Sequence, residues 1–214
     1  MITALSLIRR RADIDLDTFR RHWLDPHGVL AAGLPHVRRY IQGHIKDSSL
    51  TNVHAREAGI DGFAVLSFDT VEQRDIAYQS PRIRECDRDS ESFIGAVRRV
   101  VTVATPHGDI NDKDGLKIYL LGIGDPAHAA EWSREIEARL RDVPSPKSRV
   151  VHEILSQSHA PGSKVPELRL PVCGFAELRF PESALGGSHA KILAGHETET
   201  VRTALFVADD YQLV

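Results

Sequence analysis

The pattern of apolar and polar positions divides the first half of the chain into strand, helix, strand, strand, helix and strand. Residues 2 to 9, ITALSLIR, are β-prone and end in basic residues, as an exposed strand end does. Asp13 and Asp15 offer N-cap oxygens for a helix starting near Leu16, with Leu16, Phe19 and Trp23 on one face. Pro26 interrupts this pattern, and HGVLAAG resumes it until Gly33 and Pro35 stop it. His36 to Ile45 reads as a second strand. Its period of two sets Val37, Ile41 and Ile45 apart from Arg38, Tyr40, Gln42 and His44, with Arg39 the exception on the apolar side. A polar, turn-like stretch at 47 to 60 leads to the strand GFAVLSF (62 to 68). Helical periodicity over 70 to 95, interrupted by Pro81, precedes the strand AVRRVVTVA (96 to 104).

This order is that of a ferredoxin-like unit, a four-stranded antiparallel sheet with both helices on one face. The turn-rich tract PHGDINDKDG (106 to 115) reads as a linker. Beyond it the order recurs in outline: strands GLKIYLLGI, SRVVHEIL, CGFAELRF and VRTALFVA, a helix over AHAAEWSREIEARLRDV, and a short glycine-rich helix around Ser183 to Ala194. GFAVLSF at 62 matches GFAELRF at 174, and VRRVVTVA at 97 matches VRTALFVA at 201, both at equivalent places in the order. A tandem duplication is therefore expected, with one unit at 1–105, a linker at 106–115 and a degenerate second unit at 116–214. Each sheet keeps one open face, and two such faces bury each other. The predicted fold is α+β: two ferredoxin-like units whose sheets pack into an eight-stranded barrel within one chain, with ligand room inside.

Composition narrows the partners. With 42% apolar and 27% charged residues the chain is ordinary for a globular protein. Its net charge of −3 and scattered arginine pairs supply no cationic face, so nucleic acid is not an expected partner. Cys86 and Cys173 make no disulfide framework or metal spacing, suit a reducing compartment, and are expected to be partly buried. The first eight residues are too few for a signal peptide ahead of the arginines, and no later stretch approaches the roughly 20 apolar residues of a membrane span. A cytoplasmic protein without a membrane partner is expected.

The unusual chemistry gathers between Asp15 and Asp47, which hold four of the eleven histidines. His27, at the proline break, is placed to project past the sheet edge and serve as a general acid or base near neutral pH; the plainer alternative is a surface or capping histidine. Tyr40 and His44 share a strand face with Arg38 and Gln42. That face is assigned to the barrel interior, because the apolar alternate should meet the helices. There the row would orient a polar oxygen of a substrate, or its members would satisfy one another at the seam. A slip of one residue would turn the row towards the helices instead. Trp23, chiefly a core residue, joins Arg38 and Gln42 as a candidate substrate contact. His22 reads as solvated, and His54, His107, His128, His159, His189 and His196 as surface. The His22 and His27 spacing crosses a proline with no acid or thiol at a ligand interval, so no metal is expected. No glycine-rich nucleotide motif or nucleophile elbow occurs, and no cofactor is predicted. One axial histidine would leave no motif, so haem stays open.

The runs F-x-x-x-W-x-x-x-H-G (Phe19, Trp23, His27, Gly28), P-x-x-R-R-Y-I-Q-x-H (Pro35 to His44) and D-G-F-A-x-L-x-F (Asp61 to Phe68) resemble the EthD family of the dimeric α+β barrel superfamily. The resemblance covers residues 1 to about 105 and beyond 115 survives mainly in strand pattern. The family often carries an Asp-Glu pair ahead of a Phe late in the second helix. This chain reads DSESF (Asp89 to Phe93), with the Glu displaced to Glu91. The second half has Trp132 but no histidine four residues later, and His152 falls where Gln42 would align. A single, asymmetric site is expected. The resemblance implies relatives that act beside oxygenases or in polyketide tailoring, and kindred barrels that include cofactor-free monooxygenases, isomerases and haem-handling enzymes. The leading expectation is an oxidoreductase-, isomerase- or decarboxylase-type enzyme using His27, His44 and Tyr40 on a small oxygenated or aromatic metabolite. The alternatives are a non-catalytic ligand-binding or accessory protein of an oxygenase pathway, and a haem-binding barrel. A homodimer through the outer faces is compatible with each.

Overall fold

The first β-prone run forms β1 (Ile2–Arg10), and α1 (Leu16–His22) follows. The Asp15 carboxylate caps this helix by accepting from the Thr18 backbone N–H. The rod does not break at Pro26. It widens into a π turn, Trp23–His27, and resumes as α2 (Gly28–Ala32). Proline lacks the N–H that an α-helix would return to the preceding turn, and the wider turn absorbs that gap. β2 (Arg39–Lys46) starts later than predicted, because His36 sits at φ 63, a left-handed conformation that ends rather than extends a strand. The stretch read as a turn contains α3 (Val53–Ala58), capped by Asn52 and closed by left-handed Gly59.

β3 (Gly62–Phe68), α4 (Val71–Gln79) and α5 (Pro81–Phe93) follow, with Pro81 in the first turn of α5, where its missing N–H costs nothing. β4 (Ile94–Gly108) runs into the tract read as a linker. Then come β5 (Leu116–Gly124), α6 (Ala129–Arg139), β6 (Ser148–Gln157), β7 (Val172–Phe180), α7 (Gly187–Ala194) and β8 (Val201–Gln212). The structure, a computed structural model, describes residues 1–157, 163–195 and 200–214. Among the described residues no helix is long and apolar enough to cross a membrane.

The strands close into the predicted α+β barrel in the order β1-β3-β2-β8-β5-β7-β6-β4, and every ladder is antiparallel. Its two halves share one order, β4-β1-β3-β2 and β8-β5-β7-β6, joined at the seams β2–β8 and β4–β6. Both halves seat a tryptophan on a strand glycine. A Cβ on Gly62 would lie 2.3 Å from the Trp23 ring, and one on Gly174 would lie 1.9 Å from the Trp132 ring. Only a residue without a side chain admits an indole so close to the backbone.

Apolar side chains form two helix–sheet layers and a central core. One layer holds Phe19, Trp23, Tyr40 and Phe93; the other holds Trp132, Ile136, Leu178 and Leu193. Cys86 and Cys173 are fully buried free thiols, one in each layer. Inside the barrel, the Phe63 ring meets Tyr119, Phe175 and Phe206 at centroid distances of 4.8, 5.3 and 5.1 Å. The room expected there for a ligand is thus filled by rings, because an eight-stranded barrel is only just wide enough for its own side chains.

Candidate active site

β2 presents its faces the opposite way from the sequence reading. Ile41 packs inside the barrel with Phe63, whereas Tyr40 belongs to the helix layer with Phe19 and Trp23. Two demands set this parity. The aromatic interior takes the apolar side chain, and the helical rod supplies polar backbone for the amide row. Gln42 Nε2 donates to the Trp23 carbonyl, inside the π turn, at 2.7 Å and to the Tyr40 hydroxyl at 2.9 Å. Its Oε1 lies 2.9 Å from His44 Nε2.

His44 is therefore a structural partner in this row. Its ring stacks on Trp23 at 4.5 Å with only 4° between the planes, and meets Tyr211 at 4.7 Å. Burial, helped by the positive charge of Arg20, lowers its pKa to about 4, so the imidazole is neutral at neutral pH. It does not line the cavity beside His27. Arg38 leaves the row altogether: it is exposed and paired through Nε with Asp69 at 2.7 Å. Trp23 is wholly buried between His44 and Phe19 and offers a ligand no surface.

His27 gains a partner that the sequence reading missed. Successive groups along a π turn recur at five residues, and this spacing brings His22 and His27 to the same side of the rod. Both face Asp89 of α5. His22 Nε2 lies 3.0 Å from Asp89 Oδ1, and His27 Nδ1 lies 2.9 Å from Oδ2. Phe93, one turn after Asp89, closes the group with ring contacts of 4.9 Å to His22 and 5.0 Å to His27. The hydrogen bond from His27, then that from His22, holds the Asp89 carboxyl below the usual range against the opposing effect of burial. An ionised acceptor there places the proton of neutral His27 on Nδ1 and leaves Nε2 as its basic nitrogen.

His27 borders a cavity of about 60 Å³ between α2, α5 and the outer face of the sheet. Tyr40, Tyr78, Cys86, Ser90 and Arg99 also line it. The Tyr40 phenol is pushed up by burial and stays protonated. Burial pushes the Cys86 thiol up to about 12, which removes it as a nucleophile. Arg99 reaches Asp87 through Nη2 at 3.1 Å, while its Nη1 is buried without a partner. Among the described residues, no three His, Cys, Asp or Glu side chains are grouped to hold a metal ion.

The signal for Asp89 was its spacing: an acid four residues before Phe93 on one helix face, within the very segment that departs from the family pattern. The remaining histidines divide differently. His152, aligned by sequence with Gln42, instead pairs in register with Phe175, while Val151 faces Ala176 as Gln42 faces Ala64. That one-residue difference turns His152 into the barrel. His128 contacts Glu131, His54 lies near Glu57, and His189 accepts from the Gly186 N–H. His159 and His196 lie outside the described residues.

Residues 11–96, which include the whole His22–His27–Asp89 group, match the EthD domain family. The first half of the chain carries an EthD domain. No curated protein matches the sequence. Three solved structures share the barrel. An anthrone oxidase-like protein matches at a TM-score of 0.62 and 10% identity, over 99% of this chain and 93% of its own. A candidate monooxygenase from Fusobacterium nucleatum subsp. nucleatum gives 0.54 and 8%, over 97% and 92%. One from Lactobacillus acidophilus NCFM gives 0.50 and 8%, over 97% and 93%. Such low identities establish the fold alone. The histidine group lies within the residues that match the EthD domain.

Proposed function

We propose that the chain is an oxygenase-type EthD enzyme that needs no nucleotide cofactor, with His27 as its general base. The observation that carries this reading is the Asp89 carboxylate holding Nδ1 of a buried histidine beside a cavity. A carboxylate so placed orients the ring, fixes its tautomer and stabilises the imidazolium formed when Nε2 takes a proton. Tyr40 supports the same step. Its hydroxyl already accepts from Gln42, so its own proton is free to donate to an oxygen that gains charge. The unpaired Nη1 of Arg99 is a further donor for such an oxygen.

The substrate class that suits these groups is a small carbon acid next to a carbonyl, of the anthrone kind. His27 takes the C–H proton, the electron pair left on carbon delocalises onto the carbonyl oxygen, and the resulting enolate is oxidised by molecular oxygen. For anthrone itself the balance is one O2 consumed, with the quinone and one water formed. The same proton transfer serves isomerisation or decarboxylation. In the described state the cavity holds only a water or two, so a ring substrate requires α5 to move outward from the sheet.

The test is oxygen uptake with anthrone and hydroxylated anthrones. His27→Ala should lower turnover by about 10²-fold or more. Asp89→Asn, which keeps shape but loses charge, should lower it less and shift the pH profile. Unchanged turnover in His27→Ala would sink the assignment.

The small cavity and the packed barrel favour a second reading, an accessory protein that binds a ligand without turning it over. That reading predicts ligand bound without oxygen uptake, and tolerance of His27→Gln. Haem does not fit beside His27. A bound macrocycle needs a pocket of roughly several hundred Å³, and the space there is about 60 Å³.

A further inference from the structure

A second polar assembly lies inside the barrel, at the end where β2 and β5 begin and β7 and β8 finish. Lys117 Nζ stands 2.9 Å from Glu177 Oε2 and 3.3 Å from Asp210 Oδ2. Arg179 Nη2 reaches the same Asp210 oxygen at 3.0 Å, and the Tyr119 hydroxyl donates to Asp210 Oδ1 at 2.7 Å. His152 links Glu177 Oε1, at 3.1 Å, to the Thr102 hydroxyl, at 2.9 Å. The buried charges on the strands at this end are Arg39, Lys117 and Arg179 against Glu177 and Asp210. Three cations face two carboxylates, and one positive charge is left over.

The surplus falls on Arg39, the residue that breaks the apolar side of β2. Its residue exposure is 7%, yet Nε and Nη1 have no hydrogen-bond partner, and Nη2 has only a 3.4 Å contact with the Ile110 carbonyl. Beside it lies a gap of about 10 Å³ covered by residues 110 to 113. Two acids also border the gap, but both are engaged: Asp210 as above, and Asp112 with Lys147 Nζ at 2.5 Å. A water could satisfy one N–H and would leave the charge. An anion takes up the charge together with an unpaired N–H, since a guanidinium presents a fixed fork of donors along the edge shared by Nε and Nη2 and along that shared by Nη1 and Nη2, and Nη2 is held only by the long Ile110 contact.

We propose that Arg39 is the buried fork of a site for one small monoanion, held at the end of the barrel beneath residues 110 to 113. A halide and the carboxylate end of an organic acid share the chemistry required. The gap as it stands takes an atom of about water's size, and a carboxylate would enter with the covering segment lifted.

Two measurements test this on the whole chain. Crystals of the wild-type protein soaked in sodium bromide should show a bromine anomalous peak within hydrogen-bond distance of the Arg39 guanidinium. A water in its place, or no peak, overturns the proposal. In solution, chloride-35 NMR should show line broadening that saturates with protein and is lost in Arg39→Gln. Absent broadening in the wild type, or equal broadening in the variant, also overturns it. Displacement by formate as well as bromide identifies a site that accepts carboxylates, and displacement by bromide alone identifies a halide site. The bromide experiment needs no variant, so a poorly folding Arg39→Gln leaves the proposal open to refutation.

Discussion

His44 should make the fold acid-sensitive in a pH window set by its own burial. The unfolded chain protonates this histidine near 6.5, whereas the folded protein, with the ring stacked on Trp23 and facing Arg20, protonates it only near 4. Between those values the unfolded state binds more protons than the folded one, so stability rises with pH across the window and is lost on acidification. The loss accumulates at about 1.4 kcal/mol per pH unit and reaches about 3 kcal/mol by pH 4, below which it levels off. His44→Gln removes the titration while keeping a neutral polar group beside Gln42. Urea denaturation followed by circular dichroism from pH 7 to pH 4 reads the difference between the two proteins, in which the titrations of the shared carboxylates cancel. The wild type should lose about 3 kcal/mol relative to the variant over that range. Parallel stability curves would refute the assigned environment of His44.

Two further substitutions test the packing and the barrel charges. Gly62→Ala and Gly174→Ala should each destabilise by about 1–3 kcal/mol, with Gly174→Ala the worse because its Cβ would sit closer to an indole; thermal unfolding that leaves either midpoint unmoved contradicts the packing. Lys117→Met strips a counterion from Glu177 and Asp210 and should remove about 3–5 kcal/mol, much of it restored by adding Glu177→Leu. Simple additivity in that double-mutant cycle would show that the pair is not coupled.

The strand order and the closed barrel were legible because they rest on local alternation, on Pro and Gly positions, and on two repeated strand motifs. The parity of β2 was not. Every residue from Arg39 to His44 is buried, so neither face is marked by exposure, and the assumption that apolar residues seek the helices fails in a barrel whose interior is itself a core. Gln42 faces outward because the π turn, which contains Pro26, leaves it the backbone carbonyl of Trp23 to meet, nineteen residues earlier. Asp89 becomes the partner of His22 and His27 only when α5 docks, across 67 and 62 residues of chain. The barrel charges escaped for a related reason. Four strands contribute one or two each, and each reads locally as an ordinary polar position of its own strand. We infer from the shared strand order and the paired Trp–Gly contacts that the two halves, 1–105 and 116–214, descend from one duplicated unit.

The two seams also govern how this chain is made. Lys46 must find Val207, and β2 has no seam partner until β8 has been synthesised. At about 5–20 residues per second a ribosome needs on the order of 10 to 30 s to cover that stretch. During that interval the nascent first sheet shows water its inner face of Leu5, Leu7, Phe63 and Val65, along with the free borders of β2 and β4. Those borders are what a neighbouring nascent chain could pair with, so crowded polysomes and chaperone supply should limit the yield of folded protein. A barrel without edges once finished spends its synthesis with two.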